Sequence, residues 1–148
     1  NYHFNDRVPV VMAEIHTEIP ERCDLHTMLQ EPVVKAVMFL TAQEVREGPL
    51  SFMPHARSTQ WFIHGQDIIP AEGGKLPAMR FMAEANGWTP DELMAFGDSE
   101  NDNEMLRYAS TGVAMGNALE ETKAASDYVT DDCDDEGVAH ALAHFALI

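Results

Sequence analysis

Cysteine is nearly absent from this 148-residue sequence: Cys23 and Cys133 stand far apart, with no C-x-x-C pairing. That argues against a thiolate zinc site and a disulfide framework, and both are read as reduced thiols of a cytosolic protein. Positive charge is scarce as well, with nine Lys and Arg against 25 Asp and Glu and a formal net charge of −16. So few cations cannot track the phosphates of a nucleic acid, and the acidity disfavours anionic membranes. No apolar run reaches the ~18 residues of a membrane span. Asn1-Tyr2-His3-Phe4-Asn5-Asp6 lacks the basic and apolar regions of a signal peptide. Nor does an initiator methionine open the chain, which reads as entering a fold in mid-course.

The remaining composition, 45% hydrophobic and 23% charged, is that of an ordinary globular protein. Its most informative stretch runs from Leu93 to Leu106. Four apolar residues, Leu93 to Phe96, read as a short buried strand. Gly97 turns the backbone, and Asp98 and Asp102 follow at the strand's carboxyl end before a helical pattern starts. Open α/β sheets place their chemistry there. Two carboxylates within about 4 Å repel by roughly 4 kcal/mol at an effective dielectric of 20, so a shared cation or proton usually neutralises them. Magnesium, which takes oxygen ligands and often only one or two protein carboxylates, suits such a pair. A strand-to-helix turn in which Asp98 or Asn101 caps the first free N–H groups fits the same residues.

Four blocks in order extend the pattern: Gly97-Asp98-Ser99-Glu100-Asn101-Asp102-Asn103-Glu104-Met105-Leu106, Gly112-Val113-Ala114-Met115-Gly116-Asn117-Ala118, Ala125-Ser126-Asp127-Tyr128-Val129-Thr130 and Asp135-Glu136-Gly137-Val138-Ala139. Together they resemble the C-terminal half of the haloacid dehalogenase superfamily, and within it the Cof-type sugar-phosphate phosphatases of bacteria. The resemblance covers residues 33–148 and is strongest from Lys75 onward. It implies an α/β fold in two parts: the second half of a small α/β cap domain over residues 1–72, and the C-terminal half of a Rossmann-like parallel-sheet core over 73–148.

Residues 1–32 carry little pattern. Val8, Val10 and Met12 alternate as a strand interrupted by Pro9 would, and Pro20 to Leu29 read as a short helix. His3, His16 and His26 lack ligand spacing. From Val33 to Leu40 the run is a strand broken by Lys35, and Thr41-Ala42-Gln43-Glu44 is a capped first helical turn that Gly48-Pro49 cuts short. Two further strands are expected around Thr59–His64 and Gln66–Ile69, turning at His64-Gly65. Trp61 and Asp67 look like the family's cap strand pair, which implies contact with the part of the substrate away from its phosphate. A packed indole and a turn carboxylate are the plainer roles for the same two residues.

Ala71-Glu72-Gly73-Gly74 is small and flexible and reads as the domain boundary. The helix expected from Lys75 to Asn86 places Leu76, Met79, Phe81, Met82 and Ala83 on or near a buried face, with Gly87 as its stop. Lys75 in its first turn is unfavourable by roughly 0.3–1 kcal/mol at the positive helix end, so a nearby anion accounts for it better than helix stability does. The resemblance identifies Lys75 with the lysine that holds the phosphoryl group and the nucleophilic aspartate, although Gly74 stands where relatives have Ser or Thr. Beyond Asp98, helices over Asn103–Ala109, Leu119–Ala125 and Gly137–Ile148 alternate with strands over Gly112–Met115 and Asp127–Thr130. Such alternation predicts a parallel sheet.

The resemblance assigns Asp98 as magnesium ligand, Asp102 as second ligand or supporting carboxylate, and Asn101 as the hydrogen-bonding group that orients nucleophile or phosphate. The family's nucleophile motif, Asp-x-Asp-Gly-Thr after an apolar strand, is missing. Asp132-Cys133-Asp134 is followed by Asp135-Glu136 rather than Gly-Thr and reads as an acidic loop. His140 and His144 are spaced to share a metal but lack a third ligand.

The expectation is therefore a magnesium-dependent phosphatase of a small phosphorylated metabolite, sugar phosphates among them, working through an aspartyl-phosphate. This chain is its C-terminal half, inactive alone and partnered by the missing N-terminal half or an equivalent chain. A non-catalytic phosphate- or magnesium-binding module, or half of a two-chain assembly, is the alternative.

Overall fold

The computed structural model describes residues 5–19, 24–28, 30 and 32–148. His3, Cys23 and much of the helix expected over residues 20–29 lie outside the described residues. The chain divides into two compact units, Asn1–Glu72 and Gly73–Ile148.

In the first unit, Arg7–Glu14 is a helix, α1, where the alternation of Val8, Val10 and Met12 had suggested a strand. Val8, Val11 and Met12 are buried and Val10 is exposed, so the operative period is helical. Pro9 lies in the first turn, where its missing N–H breaks no helical bond. Leu25–Met28 is a single helical turn, α2. After strand β1, Ala36–Met38, comes α3, Ala42–Glu47, opened by the expected capping box. Glu44 N–H donates to Thr41 Oγ1 at 3.2 Å, and Thr41 N–H donates to the Glu44 carboxylate at 2.8 Å. The Arg7 guanidinium forks onto the same carboxylate at 2.6 and 3.0 Å, tying α1 to α3. Arg7 first, then the Thr41 N–H, holds the Glu44 carboxyl down at about 2, against an ordinary 4.5.

Strands β2, Ala56–Phe62, and β3, Gly65–Pro70, complete an antiparallel sheet in the order β1-β3-β2. The turn is Ile63-His64, one residue earlier than expected, because Gly65 already pairs with Phe62. Val37 and Thr59 flank Asp67 across the sheet, and the register shifts between Gln60 and Phe62, at Trp61.

In the second unit, α4 spans Lys75–Asn86 and ends at Gly87 in the left-handed conformation, φ 71°. Leu76, Met79 and Ala83 turn inward at helical spacing, whereas Phe81 and Met82, expected near the buried face, are 70% and 54% exposed. Phe81 lies across the helix from Met79 and Ala83, and Met82 lies at the edge of their face, about 60° from Met79; among the described residues nothing buries either side chain. The chain continues through β4, Met94–Gly97, α5, Asn103–Tyr108, β5, Thr111–Ala114, α6, Glu120–Lys123, β6, Tyr128–Val129, and α7, Gly137–His144. The three strands are parallel in the order β4-β5-β6, the Rossmann-like arrangement expected. Alternate residues of β4 serve two clusters. Ala95 packs with Leu106, Ala109, Met79, Leu93 and Met105, and Phe96 packs against Ala114, Met115 and Ala118. The last helix is shorter than expected. His144 stacks on the Tyr128 ring at 4.3 Å while His140 bonds Asp131 at 2.8 Å, so the i, i+4 histidines have separate partners.

Candidate active site

Because β4, β5 and β6 are parallel, the turns after Gly97, Ala114 and Val129 share one edge of the sheet. Backbone bonds lock them together. Met115 N–H donates to the Gly97 carbonyl at 3.0 Å, Leu119 N–H to the Asp98 carbonyl at 3.0 Å, and Gly116 N–H to the Asp131 carbonyl at 2.9 Å.

The centre of this edge is Asp102, 1% exposed. It ends a 3₁₀ turn, Glu100–Asp102, that leads straight into α5. One carboxylate oxygen, Oδ1, pairs with Lys75 Nζ. The other, Oδ2, accepts the backbone N–H groups of Asp98 at 3.0 Å and Ser99 at 3.3 Å. Such a fold-back needs glycine at position 97, since a Cβ there would lie 2.4 Å from Asp102 Cβ. Lys75, in the first turn of α4, thus has the anion that its place at a positive helix end calls for. Asp98 is exposed, and no described side chain binds its carboxylate. Asn101 sits between them with a buried Oδ1 that has no partner; the Oδ1 of Asn103, which sequence reasoning did not single out, is in the same state.

Lys75, Asp98, Asn101 and Asp102 are therefore assembled within one unit. The donors are a free carboxylate, an engaged carboxylate and an orphaned amide oxygen, all hard oxygens of the kind magnesium takes. Trp61 and Asp67 lie in the other unit. Asp67, 9% exposed, pairs through Oδ2 with Lys35 Nζ at 3.0 Å, and its Oδ1 is buried without a partner. Lys35 was visible in sequence only as the charge that interrupts an apolar strand. Trp61 is half-buried, its indole N–H also unpartnered. Asp132, Cys133 and Asp134 bring three ligand-type atoms within 4.8 Å of one another. Their bonds are those of a turn, with Asp132 accepting the Asp134 N–H at 3.2 Å. The hydrogen bond to Asp132, with burial and the Asp134 charge, pushes the Cys133 thiol up, away from the thiolate a metal would need.

The family model of haloacid dehalogenase-like hydrolases matches residues 13–142. The chain belongs to that family. Among haloacid dehalogenase-like hydrolases of known structure it is similar to BT1666 of Bacteroides thetaiotaomicron, a phosphatase of the superfamily, with 26% identity, a TM-score of 0.86, and 99% of this chain and 55% of that one covered. It is similar also to the subclass IIB sugar phosphatase BT4131, with 31% identity, a TM-score of 0.81, and coverage of 95% and 54%. A phosphoglycolate phosphatase of Methanothermobacter thermautotrophicus is 32% identical over 97% of this chain and 67% of its own length. The chain thus spans about half the length of the two solved relatives. Among the described residues, no helix is long and apolar enough to cross a membrane.

Proposed function

We propose that this chain is the C-terminal half of a magnesium-dependent phosphatase acting on a small phosphorylated metabolite, sugar phosphates among the candidates. In this reading residues 1–72 are part of a cap and residues 73–148 are the second half of the catalytic core. One observation carries it: the buried Asp102 carboxylate is bracketed by Lys75 and the Asp98 and Ser99 amides, while Asp98 stands free beside it on the carboxyl edge of a parallel sheet. A helix cap alone would not require a lysine from a different helix.

Each residue has a distinct task. Asp98 and Asp102 would hold the ion, Asp98 directly and Asp102 as second ligand or through the backbone it fixes. Magnesium, when bound, supplies positive charge against the transferring phosphoryl group. Lys75 adds a second positive charge at a position set by Asp102, and Asn101 directs its side chain to nucleophile or phosphate. Such preorganised electrostatics is the main contribution a protein makes to phosphoryl transfer. An aspartate carboxylate supplied by the missing half would attack phosphorus and release the alcohol, which takes a proton. Water would then hydrolyse the aspartyl-phosphate. Positioning cannot replace that nucleophile, so the 148-residue chain is expected to be inactive alone.

The test is calorimetric titration with Mg²⁺, run beside a phosphatase assay of the pure chain. Saturable binding lost in Asp98→Ala, with no turnover, is the expected result. Turnover by the pure chain would overturn the claim that half a core is inactive. Absence of Mg²⁺ binding would remove the metal from the reading. Tight phosphate binding that persists when the missing half is supplied, still without turnover, would favour a binding module.

A further inference from the structure

Asp98, the exposed carboxylate of the site, has no side-chain partner among the described residues, so only its backbone can place it. Two hydrogen bonds do so, one from each side. Its N–H donates to Asp102 Oδ2 at 3.0 Å, and its carbonyl accepts the N–H of Leu119 at 3.0 Å. The first bond lies within the turn that carries both carboxylates. The second comes from the loop between β5 and α6, residues 115–119, which contributes no charged group to the site.

That loop is wedged between two turns. On one side Met115 N–H donates to the Gly97 carbonyl at 3.0 Å, next to the Leu119 bond. On the other, Gly116 N–H donates to the Asp131 carbonyl at 2.9 Å, and Asn117 Oδ1 accepts the Cys133 N–H at 3.3 Å. The approach at Gly116 is close: a Cβ there would lie 2.7 Å from Asp132 N and 2.8 Å from the Asp131 carbonyl carbon. Ala118 N–H closes the loop on the Met115 carbonyl at 2.9 Å. The far turn is itself anchored, because Thr130 Oγ1 donates to the Gly137 carbonyl at 2.6 Å in a buried setting. Asn117 is exposed, so the link to Cys133 is what its amide contributes.

We propose that the 115–119 loop is a positioning element for Asp98. Leu119 acts through its N–H, and Gly116 and Asn117 brace the loop on the 131–133 turn, so that together they fix how the Asp98 carboxylate meets a divalent cation. None of the three touches the ion. That the cation is magnesium rests on the function proposed above; the bracing of the Asp98 turn does not.

Leu119 stands just before α6 with φ −59°, a value proline shares. Leu119→Pro therefore deletes the N–H without asking for a new φ, and its ring displaces the Asp98 carbonyl. In calorimetric titration it is expected to weaken Mg²⁺ binding about tenfold, the low end for losing an outer contact of a metal ligand. With EDTA present it is expected to speed hydrogen exchange at the Asp98 and Ser99 amides. Asn117→Ala, which decides the matter if the proline variant does not fold, is expected to weaken binding about threefold, as one ordinary hydrogen bond is lost, and to speed the same amides less. Asn117→Asp keeps the accepting oxygen and is expected to restore slow exchange. Ala141→Gly separates positioning from stability. Ala141 is buried in α7 outside these loop contacts, so the variant is expected to lower the melting temperature and leave Mg²⁺ affinity unchanged.

Unchanged affinity and unchanged exchange in Leu119→Pro and Asn117→Ala would overturn the proposal, as would an equal loss of affinity in Ala141→Gly. If the wild-type chain binds no Mg²⁺, the magnesium reading falls and exchange alone decides. Faster Asp98 and Ser99 amides in Asn117→Ala then keep the bracing role, and unaltered ones remove it. Mg²⁺ binding by the wild type that neither loop variant disturbs would remove only this proposal.

Discussion

Asp102 and Asp67 are buried carboxylates, one in each unit, and each pairs with a lysine about half exposed, 48% for Lys75 and 50% for Lys35. They differ in what the second oxygen does. Asp102 Oδ2 is held by two backbone amides, whereas Asp67 Oδ1 has no partner. The first arrangement freezes a carboxylate and the loop around it, which suits a centre that must keep charge at one place throughout a reaction. The second leaves one buried acceptor unsatisfied. Burial and an ion pair alone do not distinguish the two; counting the lone pairs does.

The sharpest way to break this comparison is to remove each carboxylate and follow the units separately, Trp61 reporting on the first and Trp88 on the second. Asp102→Ala orphans two amides and unpairs Lys75, and should destabilise the second unit by about 2–4 kcal/mol in urea titrations read at Trp88. Asp67→Asn should cost the first unit less than about 1 kcal/mol, since its oxygen network is already incomplete. Equal losses would dissolve the distinction. Gly97→Ala should cost about 1–3 kcal/mol by forcing Asp102 away from the Asp98 and Ser99 amides, again in the second unit only. In the first unit the firm local contact is the α3 cap, and Thr41→Ala should lower stability by about 1 kcal/mol, read at Trp61.

The smallest effect should depend on pH. Glu44 has a folded-state pKa near 2 against an ordinary 4.5, held down by Arg7 and the Thr41 N–H. A depressed acid stabilises the fold above its unfolded pKa and loses that contribution as pH falls through the folded value. Glu44→Gln should therefore lower first-unit stability at pH 7, the difference shrinking from about pH 4.5 and vanishing near pH 2. The second unit should show no such change. The pair is exposed, so the difference should also shrink in salt.

The comparison also follows how legible each region was. From Lys75 onward the elements were readable because alternating apolar runs, glycine stops and short links each point to the same answer, a parallel sheet with helices. Their ends were less so. Strand β6 is Tyr128–Val129 and α7 stops at His144, because pairing and packing set the ends where periodicity still runs on. Before residue 36 the reading failed at α1, where Val8 and Met12 fit either period and the burial of Val11 with the exposure of Val10 decides. Phe81 was placed near the buried face on its apolar character, against its helical spacing from Met79 and Ala83, whereas Met82 has a suitable spacing but is left 54% exposed, which periodicity does not reveal.

For the site, sequence by itself determined the residue types and their order: a carboxylate at the end of a strand, a second four residues on, an asparagine between, and a lysine opening the preceding helix. Local backbone geometry is enough to put Asp98 and Asp102 at one turn, since four residues span it. Only the tertiary structure decided that Asp102, and not Asp98, is the one Lys75 meets, and that Asp98 is left open. That choice arises from the packing of α4 beside the 3₁₀ turn, a contact between residues distant in sequence, on top of the local close approach of Asp102 to Gly97. The same holds for Trp61 and Asp67. Their types are written in the chain, but a shared face depends on the pairing of Thr59 with Asp67, and register is a property of two strands together.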